Sequence, residues 1–407
     1  MNNFDRTGPL EDLTIIDCTM AFAGPFGTAL LADLGANVIK VEPPGGDGFR
    51  PLPPYPPNYH HAFKPEADGA DFGMAFAAVN RNKRSVCLDL KQTHDREAFC
   101  QLCEQADAVV ENMREGVMEG LGLGYETLAE RNPKIVYGAI RGYGDARTGA
   151  SPYGEWPCLD VAGQSVGGLV EATGDLWPVA ISDIYPGTLM ALGLVSAVHK
   201  ARLTGQGEFF DVAMYDSVMT LLRSQIAAFS LTQKQPEPGK RALTPFGLFP
   251  TADGRIAIAA PVERHWEALC DAMGREDLVH DERTSSNAKR TANQAFTDAQ
   301  VSAWTSQLSK QAVVHAIGGK VPVGPANQLA EVFADPHVAA RGMLESFLLP
   351  GTGNPTAQVA ANPIKFQSTA TGLYQRPPLL GEHTTQVLTE FGIPIPTQPQ
   401  PTGTDTT

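Results

Sequence analysis

Cysteine is scarce: six in 407 residues, at Cys18, Cys87, Cys100, Cys103, Cys158 and Cys270. The irregular spacing excludes a dense disulfide framework. A chain this long buries enough apolar surface to fold without staples. Positive charge is also in deficit. Against 45 Asp and Glu there are only 31 Lys and Arg, a net charge of -14. That balance argues against a nucleic acid or an anionic membrane as general partner, while leaving room for a local basic pocket. No uninterrupted apolar run reaches the ~20 residues that cross a bilayer. The opening Met1–Arg6 lacks the basic and apolar regions of a secretory signal. Together these absences predict a cytoplasmic protein. The one C-x-x-C, Cys100 to Cys103, has no second pair at zinc-ligand spacing, so it predicts buried structural thiols and no metal site.

Glycine and proline, by contrast, are plentiful at 40 and 32 residues, with 43% apolar residues. This describes a loop-rich enzyme rather than a disordered chain. Length alone suggests roughly two to three domains. Leu13–Asp17 reads as a buried strand, Ala23–Gly27 as a turn and Thr28–Leu34 as a helix closed by Gly35. Asn37–Glu42 reads as the next strand. This order predicts a doubly wound α/β sheet. Further strands are predicted at Ser85–Leu88, Ala108–Val110, Ile135–Ile140 and Glu208–Val212. Long helices are predicted over Ser182–Thr204, Tyr215–Ser230 and Gln294–Ile317. Texture changes after the linker-like Pro236–Lys240, where a strand at Gly254–Ala260 and a helix at His265–Met273 suggest a smaller α+β domain. Pro43–Gly73 is too rich in proline for a helix and reads either as a surface loop or as a lid. The tail from Pro394 is rich in Pro, Gln and Thr and is predicted to be disordered.

Several motifs fall short of the chemistry they suggest. Gly24-Pro25-Phe26-Gly27 puts a bulky Phe where a dinucleotide fingerprint needs glycine, although Glu42 stands where a ribose-binding acid would. Gly163-Gln164-Ser165-Val166-Gly167 has the G-x-S-x-G spacing but lacks the preceding strand of a nucleophile elbow. His60 and His61 have no carboxylate or thiol at ligand spacing. Asn82-Lys83-Arg84 with Lys91, extended by Arg114 and Arg141, forms a basic set near strand ends. It reads either as a solvated edge or as a site for a polyphosphate ligand.

These landmarks, in their order, resemble the class III CoA-transferases, a superfamily that includes formyl-CoA transferase, carnitine CoA-transferase and α-methylacyl-CoA racemase. The resemblance rests on Ala23-Gly24-Pro25, Leu34–Glu42, Asn82–Lys91, Glu111–Val117, Asn132-Pro133, Gly142-Tyr143-Gly144, Pro322–Pro325 and Pro378–Thr384. It spans residues 9–392. It implies a catalytic aspartate at Asp183, which forms an aspartyl-CoA thioester during CoA transfer between an acyl-CoA and a carboxylic acid. From the residues alone, Asp183 reads equally as a helix cap. The resemblance further places CoA contacts at Phe22, Ala23, Leu88, Lys91, Asn112, Met113, Arg114, Arg141, Gly142 and Tyr143. Two departures stand out. Phe22 replaces a glutamine often found beside the active site, and Pro43 replaces an arginine that often follows the second strand.

The racemase branch carries a His before an Asp where this chain has Leu159-Asp160, and Leu cannot move a proton. CoA transfer is therefore the leading expectation. An acyl-CoA racemase or isomerase, or an inactive CoA-binding homologue, are the alternatives. The resemblance implies a Rossmann-like large domain at 1–227 and 326–393, with a small α+β domain inserted at 228–325. It also implies a ring-shaped subunit in an interlocked homodimer. No permanently bound cofactor is expected, with CoA and acyl-CoA as substrates. Arg50, Lys64 or Arg223 are candidates to bind the free acid, expected to be a short mono- or dicarboxylate.

Overall fold

The computed structural model describes residues 6–55, 71–235, 237, 241–350 and 356–395. Residues 56–70 of the proline-rich loop, with His60, His61 and Lys64, lie outside the described residues. So do most of the 236–240 linker, the 351–355 turn and the tail from 396. The chain divides into two compact units: Met1–Gln235 with Arg341–Thr407, and Pro236–Ala340.

The first unit is built on six parallel strands in the order β3-β2-β1-β4-β5-β6. They are β1 (Thr14–Cys18), β2 (Asn37–Glu42), β3 (Lys83–Cys87), β4 (Ala108–Glu111), β5 (Val136–Arg141) and β6 (Phe209–Ala213). Ile15 and Ile16 of β1 pair with Val38 and Ile39 on one side and Ala108 and Val109 on the other. A parallel sheet covered on both faces buries both sides of its central strands, which explains adjacent apolar pairs such as Ile15-Ile16, Val38-Ile39 and Val109-Val110. Alternate residues feed two cores. Ile16, Ile39 and Val109 pack under Phe99 and Leu102 of the Thr93–Glu104 helix. Ile15, Val38 and Val110 pack under Leu31 of the Ala23–Asp33 helix and Met190 and Leu194 of the Ile181–Thr204 helix. Cys100 and Cys103 are buried free thiols, pushed up by burial.

The strand order reverses between β1 and β4, and in open α/β sheets ligands bind at such a point, outside the carboxyl ends of the strands. The edge strand β3 is covered by the returning chain: His383 N–H donates to the Ser85 carbonyl, and Thr384 Oγ1 accepts from Cys87 N–H. This closes an edge that would otherwise invite pairing with another chain.

Some expected boundaries move. Ala23–Gly27 is not a separate turn but the start of the helix, which runs Ala23–Asp33. Pro25 sits at its third residue, where a missing N–H costs nothing. Tyr215–Ser230 is two helices, Met214–Leu221 and Arg223–Thr232, and Gln294–Ile317 is likewise two, Gln294–Thr305 and Lys310–Ile317. The Ile181–Thr204 helix is long and apolar enough to cross a membrane by composition. In this fold it packs Met190, Leu194 and Val198 into a core against the sheet.

The second unit pairs β7 (Phe246–Thr251), β8 (Gly254–Ala259) and β9 (Val323–Pro325) antiparallel. Its core gathers Ile256 and Ile258 against Trp266, Leu269 and Cys270 of the Glu263–Met273 helix. Spacing of three and four residues puts those three on one helix face. β10 (Leu344–Leu348) and β11 (Thr356–Ala360) form a hairpin that packs Phe347 and Val359 on Phe72 and Phe76 in the first unit.

Candidate active site

The expected ligand residues fall at the carboxyl ends of four strands. Phe22 and Ala23 follow β1, Leu88 and Lys91 follow β3, Asn112 to Arg114 follow β4, and Arg141 to Tyr143 end β5. Phe22 caps the Ala23–Asp33 helix and stacks on Phe26 with ring centroids 6.2 Å apart. Leu88 is buried, its N–H donating to the Glu42 carbonyl at 2.9 Å. Lys91 and Arg114 are exposed.

Arg141 differs. It is buried, its guanidinium 2.6 Å from Glu111 and 3.3 Å from Asp145, and it donates to the Met113 carbonyl at 2.7 Å. Its charge is already balanced inside the fold. Lys83 and Arg84, read from sequence as part of a basic set for a polyphosphate, are also committed. Lys83 is fully buried and bonds Asp17 at 3.0 Å. Arg84 bonds Asn37 and Glu390. Arg50 is buried against Glu42 at 2.6 Å and Asp71 at 2.9 Å, so it is not an exposed anchor for a free acid. Glu42, the mimic of a ribose acid, is held by that same Arg50 and by Ser85 Oγ at 2.6 Å. Arg223 is exposed. Of the predicted cations at the strand ends, Lys91 and Arg114 are thus the exposed ones.

Asp183 stands in the first turn of the Ile181–Thr204 helix. That helix crosses the Ala23–Asp33 helix at a contact of two glycines. A methyl group on Gly187 would lie 2.3 Å from the Ala23 carbonyl oxygen, and one on Gly27 would lie 2.3 Å from the Gly187 carbonyl oxygen. Only glycine allows backbones so close. Gly187 lies one turn on from Asp183, and the contact packs that turn on Ala23 and Gly27 at the start of the other helix.

Asp183 is half-buried, and its carboxyl is pushed up to about 7, first by burial and then by the charge of Asp160. The helix N-terminus works the other way and favours the anion. Asp160 opens the Asp160–Val166 helix. One of its oxygens accepts from Ser182 N–H at 2.9 Å, and the other accepts from Gln164 Nε2 at 2.8 Å. Gln164 is buried and also donates to the Trp177 carbonyl at 3.1 Å, while its oxygen accepts from Trp177 N–H at 3.0 Å. It thereby ties the segment before Asp183 to the Asp160 helix. The G-x-S-x-G match lies inside this helix, where Ser165 Oγ donates to the Val161 carbonyl at 2.8 Å, so it is no nucleophile elbow.

Tyr143 is buried in an aromatic group with Tyr153, Trp156 and Tyr215 at centroid distances of 5.6, 6.5 and 6.2 Å. Cys158 abuts Gly142, whose added methyl would lie 2.4 Å from the Cys158 Cβ. The Cys158 thiol is pushed up by burial, and the charges of Asp183 and Asp160 also raise it. Cys158 and Gln164 carry no pattern that marks them in the sequence. Asp160 stands out there only through its family position.

The chain belongs to CoA-transferase family III, which it matches over residues 10–384. It is 40% identical over 395 residues to the succinyl-CoA:mesaconate CoA-transferase of Haloarcula marismortui, covering 95% of this chain and 97% of that protein. It is 33% identical over 406 residues to the succinate–glutarate CoA-transferase of Agrobacterium fabrum, covering 95% and 96%. A crystal structure of a CAIB/BAIF family protein from Brucella suis superposes with a TM-score of 0.80 at 31% identity, covering 95% of this chain and all of that one. The chain is an enzyme that moves CoA between an acyl-CoA and a carboxylic acid.

Proposed function

We propose that Asp183 is the nucleophile and that donor and acceptor are short dicarboxylates, as in the transfer from succinyl-CoA to mesaconate. The observation that carries this reading is a half-buried carboxylate of raised basicity in the first turn of a helix, one turn before the Gly187 that packs on Ala23 after β1. A more basic carboxylate is a better nucleophile, and at about 7 it is substantially ionised at neutral pH.

An Asp183 oxygen attacks the thioester carbonyl, and the C–S bond breaks to release CoA thiolate and leave an acyl-aspartyl anhydride. The thiolate then attacks the aspartyl carbonyl, and the anhydride C–O bond breaks. The donor acid leaves as its carboxylate, and aspartyl-CoA thioester remains. The acceptor carboxylate runs the same two steps in reverse. Each step passes one negative charge along, and no external base is needed.

Leu159, at the position where a racemase has His, has no proton to transfer, which favours CoA transfer over racemisation. CoA itself is proposed to lie along Phe22, Ala23, Leu88, Met113, Gly142 and Tyr143, with Lys91 and Arg114 facing its phosphates. The large Rossmann-like unit is the CoA-binding domain in this reading, and the 236–340 unit is an insertion in it. We place the enzyme in the cytoplasm, in keeping with its free cysteines. The interlocked homodimer of ring-shaped subunits is also proposed. Exposed Leu159, Leu192, Leu203 and Leu231, at 72, 65, 74 and 86%, support a protein partner on the first unit.

The test is a matrix of acyl-CoA donors against carboxylic acids, read by mass spectrometry of the acyl-CoA products. Succinyl-CoA with mesaconate, or another C4–C5 dicarboxylate pair, is expected to give the highest kcat/KM. A preference for monocarboxylates contradicts the substrate class, and exchange of the α-hydrogen without transfer contradicts the reaction.

A further inference from the structure

Between β1 and the Ala23–Asp33 helix lie four residues, Thr19 to Phe22. Ala21 has φ +65°, a left-handed conformation that crowds any side chain bearing a Cβ. Such a conformation persists only where the surroundings hold it. Here the backbone groups are accounted for nearly one by one. Thr19 N–H donates to Asp17 at 2.9 Å, and the Thr19 carbonyl accepts from Lys40 Nζ at 2.7 Å. Met20 N–H donates to Asn112 Oδ1 at 2.8 Å, and the Met20 carbonyl accepts from Asn112 Nδ2 at 2.7 Å. Ala21 N–H donates to Asp47 Oδ1 at 3.0 Å, and Asp47 is itself held by Lys40 at 2.9 Å.

The last paired residues of β1 and β4 are Cys18 and Glu111. Asn112 follows Glu111 directly, and its amide offers Met20 one donor and one acceptor, as a neighbouring strand would. The side chain extends the β1–β4 ladder past its end, across the point where the strand order reverses.

We infer that Asn112 is a positioning residue, which fixes the Met20–Phe22 turn and so aims the start of the Ala23–Asp33 helix at the acyl-CoA, rather than a residue that binds CoA itself. The inference rests on the CoA-binding reading above. Both ends of the amide are engaged on Met20, so a change at Asn112 reaches the ligand through Ala21 and Phe22. The turn lies beside the Gly27–Gly187 crossing, so its geometry also sets where Asp183 meets the thioester.

A double-mutant cycle separates positioning from contact. Asn112→Ala is expected to weaken CoA binding, measured by calorimetry on the full chain, by about tenfold as preorganisation is lost. Ala21→Gly removes the crowding that favours escape from the left-handed conformation. Added to Asn112→Ala, it is expected to return the CoA dissociation constant to within about threefold of the unsubstituted protein. If Asn112 touches CoA, glycine at 21 recovers nothing, and that result overturns the inference. So does an Asn112→Ala variant that binds CoA undiminished. If Asn112→Ala does not fold, Asn112→Ser replaces it in the same cycle and is judged by the same outcomes. An unsubstituted protein that binds no CoA overturns the CoA-binding reading and this inference with it. Normal CoA binding without rescue overturns the inference alone.

Discussion

As the proposed nucleophile, Asp183 needs a basic carboxylate, and burial beside Asp160 raises its basicity by making the anion unfavourable. The sign of the linkage follows. Its folded value, about 7, lies above the ordinary 3.8, so the folded state holds more protons between those values. Stability is therefore lost as pH rises from about 4 through 7. Asp183→Asn is expected to stabilise the fold at pH 8, by up to about 4 kcal/mol, and to change it little at pH 4. Thermal unfolding at the two pH values checks this. The same substitution should lower kcat by more than about 10³-fold. For the unsubstituted enzyme, kcat/KM should rise through pH 7 as Asp183 ionises. Asp160→Asn should move that rise to lower pH, because one cause of the elevation is gone. A rise that stays in place would mean that the limb belongs to another group.

Elements, rather than single residues, decide how the site is assembled. The strand ends could be read from the Val and Ile runs and from the punctuation of Gly35 and Gly205. The contact that joins the helices could not. Gly27 and Gly187 are far apart in sequence, and nothing local says that each fits the other's backbone. The same limit explains the basic residues. Lys83, Arg84 and Arg141 read as ligand groups because charge is visible in a sequence, while their partners Asp17, Glu390 and Glu111 are brought to them only by the fold. Two predictions belong to this scale. Gly187→Ala pushes a methyl group against the Ala23 carbonyl and is expected to cost about 1–3 kcal/mol of stability, with a fall in kcat as the Asp183 turn shifts. Lys83→Met strands the buried Asp17 carboxylate and is expected to cost about 3–5 kcal/mol in a denaturant titration, since an unpaired buried charge is left behind. A neutral outcome would mean, for Gly187→Ala, that the helix packing relaxes freely and, for Lys83→Met, that Asp17 does not depend on Lys83 for its charge.

For the whole molecule, charge and ligand point in opposite directions. A chain with a net charge of -14 binds a polyanion. Lys40, Lys83 and Arg141 neutralise buried carboxylates, so in the proposed reading recognition is left to Lys91, Arg114 and the helix ends. Added salt should therefore weaken CoA binding only modestly, with a slope set by about two phosphate-facing cations. The family, the parallel sheet and the position of Asp183 were all legible in the residues. The starts and breaks of the helices were less so, because glycine and proline at a helix start look the same as a turn. The central claim is that CoA becomes covalently attached to Asp183. Incubation with succinyl-CoA alone, followed by borohydride or hydroxylamine trapping and peptide mass spectrometry, tests it most directly. The account predicts a reduced or hydroxamate adduct on the peptide carrying Asp183, absent from Asp183→Asn. Full CoA transfer with no adduct at Asp183, or with the adduct on another residue, would contradict it.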